Sequence, residues 1–373
     1  MKANDPFSNA LETLSRRDRR RRLVPATGVD FSSNDYLGLA RHDGIRRSLI
    51  AALDGGLALG AGGSRLLRGN HPAHENLEAF AAEFFGAESA LFMAAGYLAN
   101  LSVFTALPQR GDAIVTDERI HASAKEGIHA SAAKHAKFAH NDASACEDAI
   151  KRARANGAKQ VWIAAESVYS MDGDVAPLAD LMNIAERLDA FLIVDEAHAT
   201  GVHGPGGRGL SARFEGRGNL IAVHTCGKAL GQAGALVTLP ATLKDYMINC
   251  ARSFIYTTAP PPLAALAVER ALEIVRDEPE RIEALLGQVD YARSKLAAAF
   301  GPVPGSTQIL PLIVGEDARA VGLARYLHER GFDVRAIRPP TVAEGTARLR
   351  VSVTLNAGRD DIDGLAAALA EAV

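Results

Sequence analysis

From about residue 70 to residue 255 the chain alternates two hydrophobic rhythms. HPAHENLEAFAAEFFG (71–86), GYLANLSVFTAL (96–107), ASACEDAIKRARANG (143–157) and APLADLMNIAERLD (176–189) place apolar residues three and four apart, as amphipathic helices do. Between and after them run short apolar segments: SALFMA, DAIVTDE, KQVWIAAES, FLIVDEA, NLIAVHTC and GALVTLP. Continuous apolar runs of this length are the signature of strands buried on both faces of a parallel sheet. Alternation of the two predicts an α/β domain with a mostly parallel sheet. After FIYTTAPPP (254–262) the pattern changes to two long helices, near 262–279 and 280–300. QILPLIVG, a helix around ARYLHERG, DVRAIRPP, RLRVSVT and a closing helix DDIDGLAAALAEAV then predict a smaller α+β unit.

Two charged residues interrupt this pattern where strands should end. Asp195 follows four apolar residues in FLIVDEA, at the carboxyl edge where open α/β sheets build their binding crevice. A carboxylate there is costly unless paired. A structural arginine, backbone amides or a cationic group on a ligand would each serve. Lys228 lies just beyond the next strand, in VHTCGKALGQAGA, on a loop that glycine makes compact. Lysine is almost never fully buried without a partner, so it is either a surface residue on a tight turn or is aimed at a ligand. A lysine amine with an acid opposite a pyridinium nitrogen is the protein's half of pyridoxal phosphate chemistry. Gly96 and Tyr97 open a helix after a strand, where free backbone amides favour a phosphate. Thr225, Thr257 and Thr258 offer hydroxyls.

Composition narrows the classes. The 373 residues suffice for two domains, and a formal charge of -3 points to neither nucleic acid nor membrane. Cys146, Cys226 and Cys250 show no metal or disulfide spacing and read as free thiols of a reducing, cytoplasmic protein. No apolar stretch is long enough for a membrane span, and the N-terminus lacks a signal-peptide core. SRRDRRRRL (15–23) stands out as basic and is expected to end a surface helix through Phe7, Leu11 and Leu14. It is either a solvated face or a contact for an anion, such as an acidic carrier or a substrate carboxylate.

Other motifs fail their structural tests. GPGGRG (204–209) matches a dinucleotide fingerprint formally, but HATGVH separates it from the strand and a poor helix follows. GAGGSR (60–65) lacks the last glycine, and CGKA lacks both the first glycine and the hydroxyl of a P-loop. His198 and His203 have no zinc-binding geometry, so no metal is expected.

Several long segments in one order resemble the α-oxoamine synthases. They are FSSNDYLGL (31–39), GAGGSRLLRGNHPAHENLE (60–78), SVYSMDGDVAPL (167–178), VDEAHATGVHGPGGRG (194–209), HTCGK (224–228) and IRPPTVAEGTARLRVSVT (337–354). The resemblance implies a pyridoxal-phosphate-dependent transferase of the aspartate-aminotransferase type (fold type I). It implies an N-terminal arm over 1–36, a large cofactor domain over 37–280 and a small C-terminal domain over 281–373. Within the family the chain is most similar to the biotin-pathway member, which condenses L-alanine with a pimeloyl thioester of CoA or of an acyl carrier protein. A member using glycine or serine is the alternative. The departures TCGKALG, VAEGT and LNAG from the commoner family wording bear on the shape of the acyl site and remove no catalytic group.

Roles follow from the resemblance residue by residue. Lys228 would be the Schiff-base lysine and base, Asp195 the partner of the pyridine nitrogen, and His121 of DERIHAS the group stacked on the ring and polarising the new carbonyl. His198 would bond the ring oxygen, with Ser170 nearby. Gly96, Tyr97 and Thr225 would hold the cofactor, with Thr257 and Thr258 reaching the phosphate from the second subunit of a homodimer. Arg350 would clamp the amino-acid carboxylate with Asn34 assisting. Arg338, Thr341 and Arg20 would face the acyl substrate, the two arginines recognising its distal carboxylate. A nicotinamide dehydrogenase and a pyridoxal-phosphate-binding regulator are disfavoured, the first for want of a fingerprint and the second for want of a DNA-binding segment.

Overall fold

The structure, a computed structural model, describes residues 5–372. Residues 1–4 of the expected N-terminal arm lie outside the described residues. The chain forms two compact units. The smaller begins with helix α1 (Asp5–Arg16) and the short strand β1 (Val29–Asp30). Phe7, Leu11 and Leu14 do form one face of α1, but all three are exposed. The helix stops before most of the basic run. Asp18 takes a left-handed φ of 53°, and its N–H and that of Arg19 fold back onto the carbonyls of Ser15 and Leu14, closing the last turn. Arg19 to Arg22 therefore follow the helix instead of ending it.

The larger unit spans residues 37–169 and 175–282. It runs through α2 (Asp43–Asp54), α3 (Pro72–Phe85), β2 (Ser89–Met93), α4 (Gly96–Ala106) and β3 (Ala113–Asp117). Next come α5 (Ala122–Ala130), β4 (Lys134–Phe138), α6 (Ala143–Ala155), β5 (Val161–Glu166), α7 (Leu178–Arg187) and β6 (Ala190–Asp195). It closes with β7 (Leu220–Thr225), β8 (Ala235–Leu239), α8 (Ala241–Cys250), α9 (Arg252–Ile255) and α10 (Pro262–Asp277). The strands form one seven-stranded sheet, ordered β2-β8-β7-β6-β5-β3-β4 and parallel except where β8 meets β2 and β7. This is the mostly parallel α/β domain that the alternating pattern predicts.

Both faces of the sheet are covered, which is why its strands read as unbroken apolar runs. Along β6, Ile193 packs with Ile221, Val223 and Trp162 on one side, while Leu192 and Val194 pack with Ile163 and Leu181 on the other. Each such fully buried aliphatic side chain contributes roughly 1.5–3 kcal/mol of transfer free energy. The pattern misses β4, because KHAKF is an edge strand whose first four residues are exposed. It also misses α2, α5 and α8, short helices without a strong apolar repeat.

The smaller unit combines the residues up to Tyr36, the segment Ser170–Asp174 and the residues from Glu283 onward. α11 (Pro279–Phe300), β9 (Ile309–Gly315), α12 (Asp317–Glu329), β10 (Phe332–Asp333), β11 (Arg335–Ile337), β12 (Ala347–Ser352) and α13 (Arg359–Ala372) complete the chain. β11, β12 and β9 form an antiparallel sheet, and β1 pairs with β10. Thr307 holds the Gly173 carbonyl at 2.9 Å, tying the Ser170–Asp174 segment to this unit. Among the described residues no helix is long and apolar enough to cross a membrane.

Candidate active site

β6 and β7 are neighbours in parallel register, with Asp195 opposite Val223. Asp195 ends β6, and Lys228 sits three residues past the end of β7. The two therefore emerge together at the carboxyl edge of the sheet. The turn carrying Lys228 is closed by the Gly231 N–H on the Lys228 carbonyl at 2.8 Å. Gly231 has φ 63°, and a Cβ there would lie 2.3 Å from the Ala40 nitrogen, so glycine is required. Lys228 is half-buried, with its Nζ 3.4 Å from the Thr225 hydroxyl.

No arginine answers Asp195. Its Oδ2 accepts from Asn100 Nδ2 at 2.7 Å and its Oδ1 from the Ala197 N–H at 3.0 Å. Asn100 Nδ2 also donates to Ser123 Oγ at 3.0 Å, and Ser123 Oγ lies 2.8 Å from His121 Nδ1. The Ser123 N–H points at the same Nδ1 at 3.3 Å, which leaves the ring proton on Nε2. A continuous hydrogen-bonded chain thus joins Asp195 to His121 through Asn100 and Ser123. Sequence reasoning missed Asn100 and Ser123. Asn100 stands one helical turn after Gly96 on the face of α4 toward the sheet, and an asparagine in that place carries no signal until its partner is known.

His121 caps the N-terminus of α5. Its pKa is held below the ordinary value, first because the protein packed around the ring desolvates it, with Lys228 and Lys125 adding to the effect and Asp195 opposing it. Charges on both Asp195 and Lys228 are therefore close enough to act on this ring. His198 is buried on the turn three residues after Asp195.

Gly96 and Tyr97 are the first residues of α4, as the sequence suggests. A Cβ on Gly96 would come 2.4 Å from the Thr225 methyl. The helix start is thereby pressed against the end of β7, directly below the Lys228 loop. Tyr97 is exposed, with Glu126 beside its hydroxyl. Thr257 and Thr258 lie elsewhere in this unit, beside Met93, Ala94 and Leu98.

In the smaller unit Arg348 and Arg350 are both buried on β12. Arg348 is paired with Asp172. Arg350 meets only neutral acceptors: the Ser170 carbonyl at 2.6 Å, Ser352 Oγ at 2.7 Å and Asn34 Oδ1 at 3.1 Å. No carboxylate of the described residues forms an ion pair with it, and a buried cation in that condition is suited to an incoming anion. Ser170 thus reaches this unit's guanidinium through its carbonyl. Arg20 and Arg338 line one cavity of about 640 Å³ with Arg21, Arg22, Val321 and Val334. Thr341 accepts from Arg21 at 3.1 Å, while Arg19 turns to Asp317 and Glu344.

The model of aminotransferase class I and II matches residues 26–369. A protein of Methylococcus capsulatus named 8-amino-7-oxononanoate synthase is 42% identical over 379 residues, covering 100% of this chain and 96% of that one. The chain belongs to the class I and II aminotransferase family, in its 8-amino-7-oxononanoate synthase group. Among solved structures, 8-amino-7-oxononanoate synthase of Francisella tularensis superposes with a TM-score of 0.77 at 29% identity, covering 92% of this chain and 97% of that one. A serine palmitoyltransferase of Sphingomonas wittichii superposes with a TM-score of 0.90 at 25% identity, over 100% and 97% of the two chains. Shape is shared across both groups, and the higher sequence identity lies with the first. Within the family's fold, the Asp195–Asn100–Ser123–His121 chain and the Lys228 turn are the parts of the larger unit that carry ionisable groups to the sheet edge.

Proposed function

We propose that the protein is a pyridoxal-phosphate-dependent acyltransferase that joins L-alanine to a pimeloyl thioester. The products are 8-amino-7-oxononanoate, CO2 and the free thiol, in biotin biosynthesis. The convergence of Lys228, Asp195 and His121 at one sheet edge carries this reading. The residues present fit the cofactor: a lysine amine, a buried carboxylate held by neutral donors only, an imidazole, and a helix N-terminus where Gly96 leaves no room for a side chain. When bound, pyridoxal phosphate supplies an electron sink for charge developing at the alanine Cα.

The chain's own residues supply the rest. Lys228 holds the aldehyde carbon, and its amine, once released, takes the proton from the alanine Cα. Asp195 keeps the pyridine nitrogen protonated, since a buried carboxylate favours a cation beside it. The α4 amides and Thr225 hold the phosphate. His121 covers the ring, and its Nε2–H polarises the thioester carbonyl as the alanine Cα bonds to it and the C–S bond breaks. His198 bonds the ring oxygen. Arg350, with Asn34 and Ser170 fixing its plane, takes the alanine carboxylate that later leaves as CO2.

Arg20, Arg338 and Thr341 take the acyl substrate. A cavity lined by guanidinia and by small apolar side chains suits a methylene chain ending in a carboxylate. Arg338→Leu should raise the KM for pimeloyl-CoA about ten- to a hundredfold, the loss of one charged hydrogen bond. Alanine binding, read from the cofactor spectrum, should not change. Arg350→Leu should do the reverse, weakening alanine by roughly thirtyfold to a few thousandfold. If both variants lose the same ligand, this division of labour is wrong.

Homodimerisation is part of the proposal. Leu66, Leu67 and Tyr256 are 51, 80 and 74% exposed, an apolar group that a second copy would cover. Gly63 and Ala259 are bonded at 2.9 Å, which sets this group beside Thr257 and Thr258. Mixing inactive Lys228→Ala and Thr258→Glu chains should restore about a quarter of wild-type activity, because half of the dimers gain one intact site. Mixtures as inactive as their parents would exclude a shared site. A cytoplasmic location is proposed on the three unpaired cysteines, and cell fractionation tests it.

The test of the function is direct. Purified protein given pyridoxal phosphate, L-alanine and pimeloyl-CoA should release CO2 and free CoA and form 8-amino-7-oxononanoate. Faster turnover of glycine or serine with another acyl-CoA would move the protein to a different member of the family.

A further inference from the structure

The acyl-transfer reading leaves open which thiol carries the acyl group, and α5 with its neighbour β4 bears on that. His121 caps α5, and Lys125 and His129 follow at successive four-residue steps, so the three lie along one face of the helix. Lys125 lies within electrostatic reach of the His121 ring. His129 leads to the sheet edge, where its ring meets that of His135 edge to face at 5.1 Å. Lys134, His135 and Lys137 of β4 are all exposed. Among the described residues none of these five basic side chains forms an ion pair, whereas Lys151 and Lys244 each hold a glutamate. The one acid of the two elements, Glu126, is engaged with Tyr97. Lysines on an edge strand commonly serve to block pairing with another sheet edge. Lys125 and His129 lie on the helix, off that edge, and such a role does not account for them.

We infer that this face docks an acidic acyl carrier protein, which delivers the pimeloyl thioester toward His121. This rests on the acyl-transfer reading above. The basic groups are spread over eight residues of helix, about 12 Å at about 1.5 Å per residue, and onto a strand edge. That spacing suits the acidic helix of a folded partner. The phosphates of a nucleotide need cations gathered round a cavity, as the arginines of the smaller unit are.

The experiment compares two thioesters on the holoenzyme carrying Lys134→Glu and Lys137→Glu together. The KM for pimeloyl-carrier protein should rise at least about tenfold, with kcat nearly unchanged, and added salt should weaken the wild-type enzyme in the same way. The KM for pimeloyl-CoA should stay within about twofold. An unchanged KM for the carrier thioester would overturn the inference, leaving an ordinary solvated edge. An equal rise for both thioesters would also overturn it, by making the face a phosphate site. Binding of unacylated holo-carrier protein to immobilised enzyme, wild type against variant, reads docking without turnover. If neither thioester reacts yet the carrier binds and the variant does not, the function fails and the docking face stands. Melting temperature and the alanine spectral titration check that the variant is folded.

Discussion

Lys228→Ala should lower turnover by at least about four orders of magnitude while leaving the fold intact. General acid–base catalysis alone is worth about 10²–10⁴ in rate, and this lysine is assigned a covalent role besides. Its side chain is half-buried, and the one polar contact described above is 3.4 Å from Thr225 Oγ1. Truncating it removes little packing, so the melting temperature should shift by no more than a degree or two. Pyridoxal phosphate should still bind, because the α4 amides and Asp195 remain. It should no longer stay attached after borohydride reduction and denaturation, as it does in the wild type. Lys228→Arg sharpens the test. Arginine keeps the charge but cannot give up its proton near neutral pH, so a role resting on charge would survive this change and a role resting on the amine would not. Turnover of either variant within tenfold of wild type would remove Lys228 from the chemistry.

Much of the site's framework was legible in the sequence because burial in a parallel sheet is so constraining. A carboxylate or amine at the end of an unbroken apolar run has to lie at a strand terminus, and β6 and β7 place Asp195 and Lys228 there. Gly96 was legible for a similar reason, as a glycine opening a helix straight after a strand. The groups that orient these residues were not. Asn100 and Ser123 act through hydrogen bonds between α4, α5 and β6, and their spacing in sequence says nothing of that. Arg348 and Arg350 look alike on an alternating strand, and only the Asp172 partner of Arg348 separates them. The end of α1 was misjudged because Asp18 adopts a left-handed conformation that a run of arginines does not announce. β4 escaped because an edge strand need not be apolar.

The second large effect expected is at Asp195, where charge and hydrogen bonding can be separated. Asp195→Asn keeps the shape but presents an N–H₂ where the carboxylate accepted from both Asn100 and Ala197. One donor then faces another, and leaving a buried polar group unsatisfied costs about 1–3 kcal/mol. Melting temperature should fall by a few degrees. Turnover should fall by about 10²–10³, the scale of losing one preorganised electrostatic partner, and pyridoxal phosphate should bind more weakly. Adding Asn100→Asp restores a matched amide–carboxylate pair with the charge moved to the other side of one 2.7 Å hydrogen bond. Stability should return in this double variant, since donor again meets acceptor. Turnover and cofactor affinity should not, because the carboxylate now ends on α4 instead of at the tip of β6. If turnover recovers along with the melting temperature, Asp195 is a packing element of the Asn100 network and the pyridine partner has to be sought elsewhere.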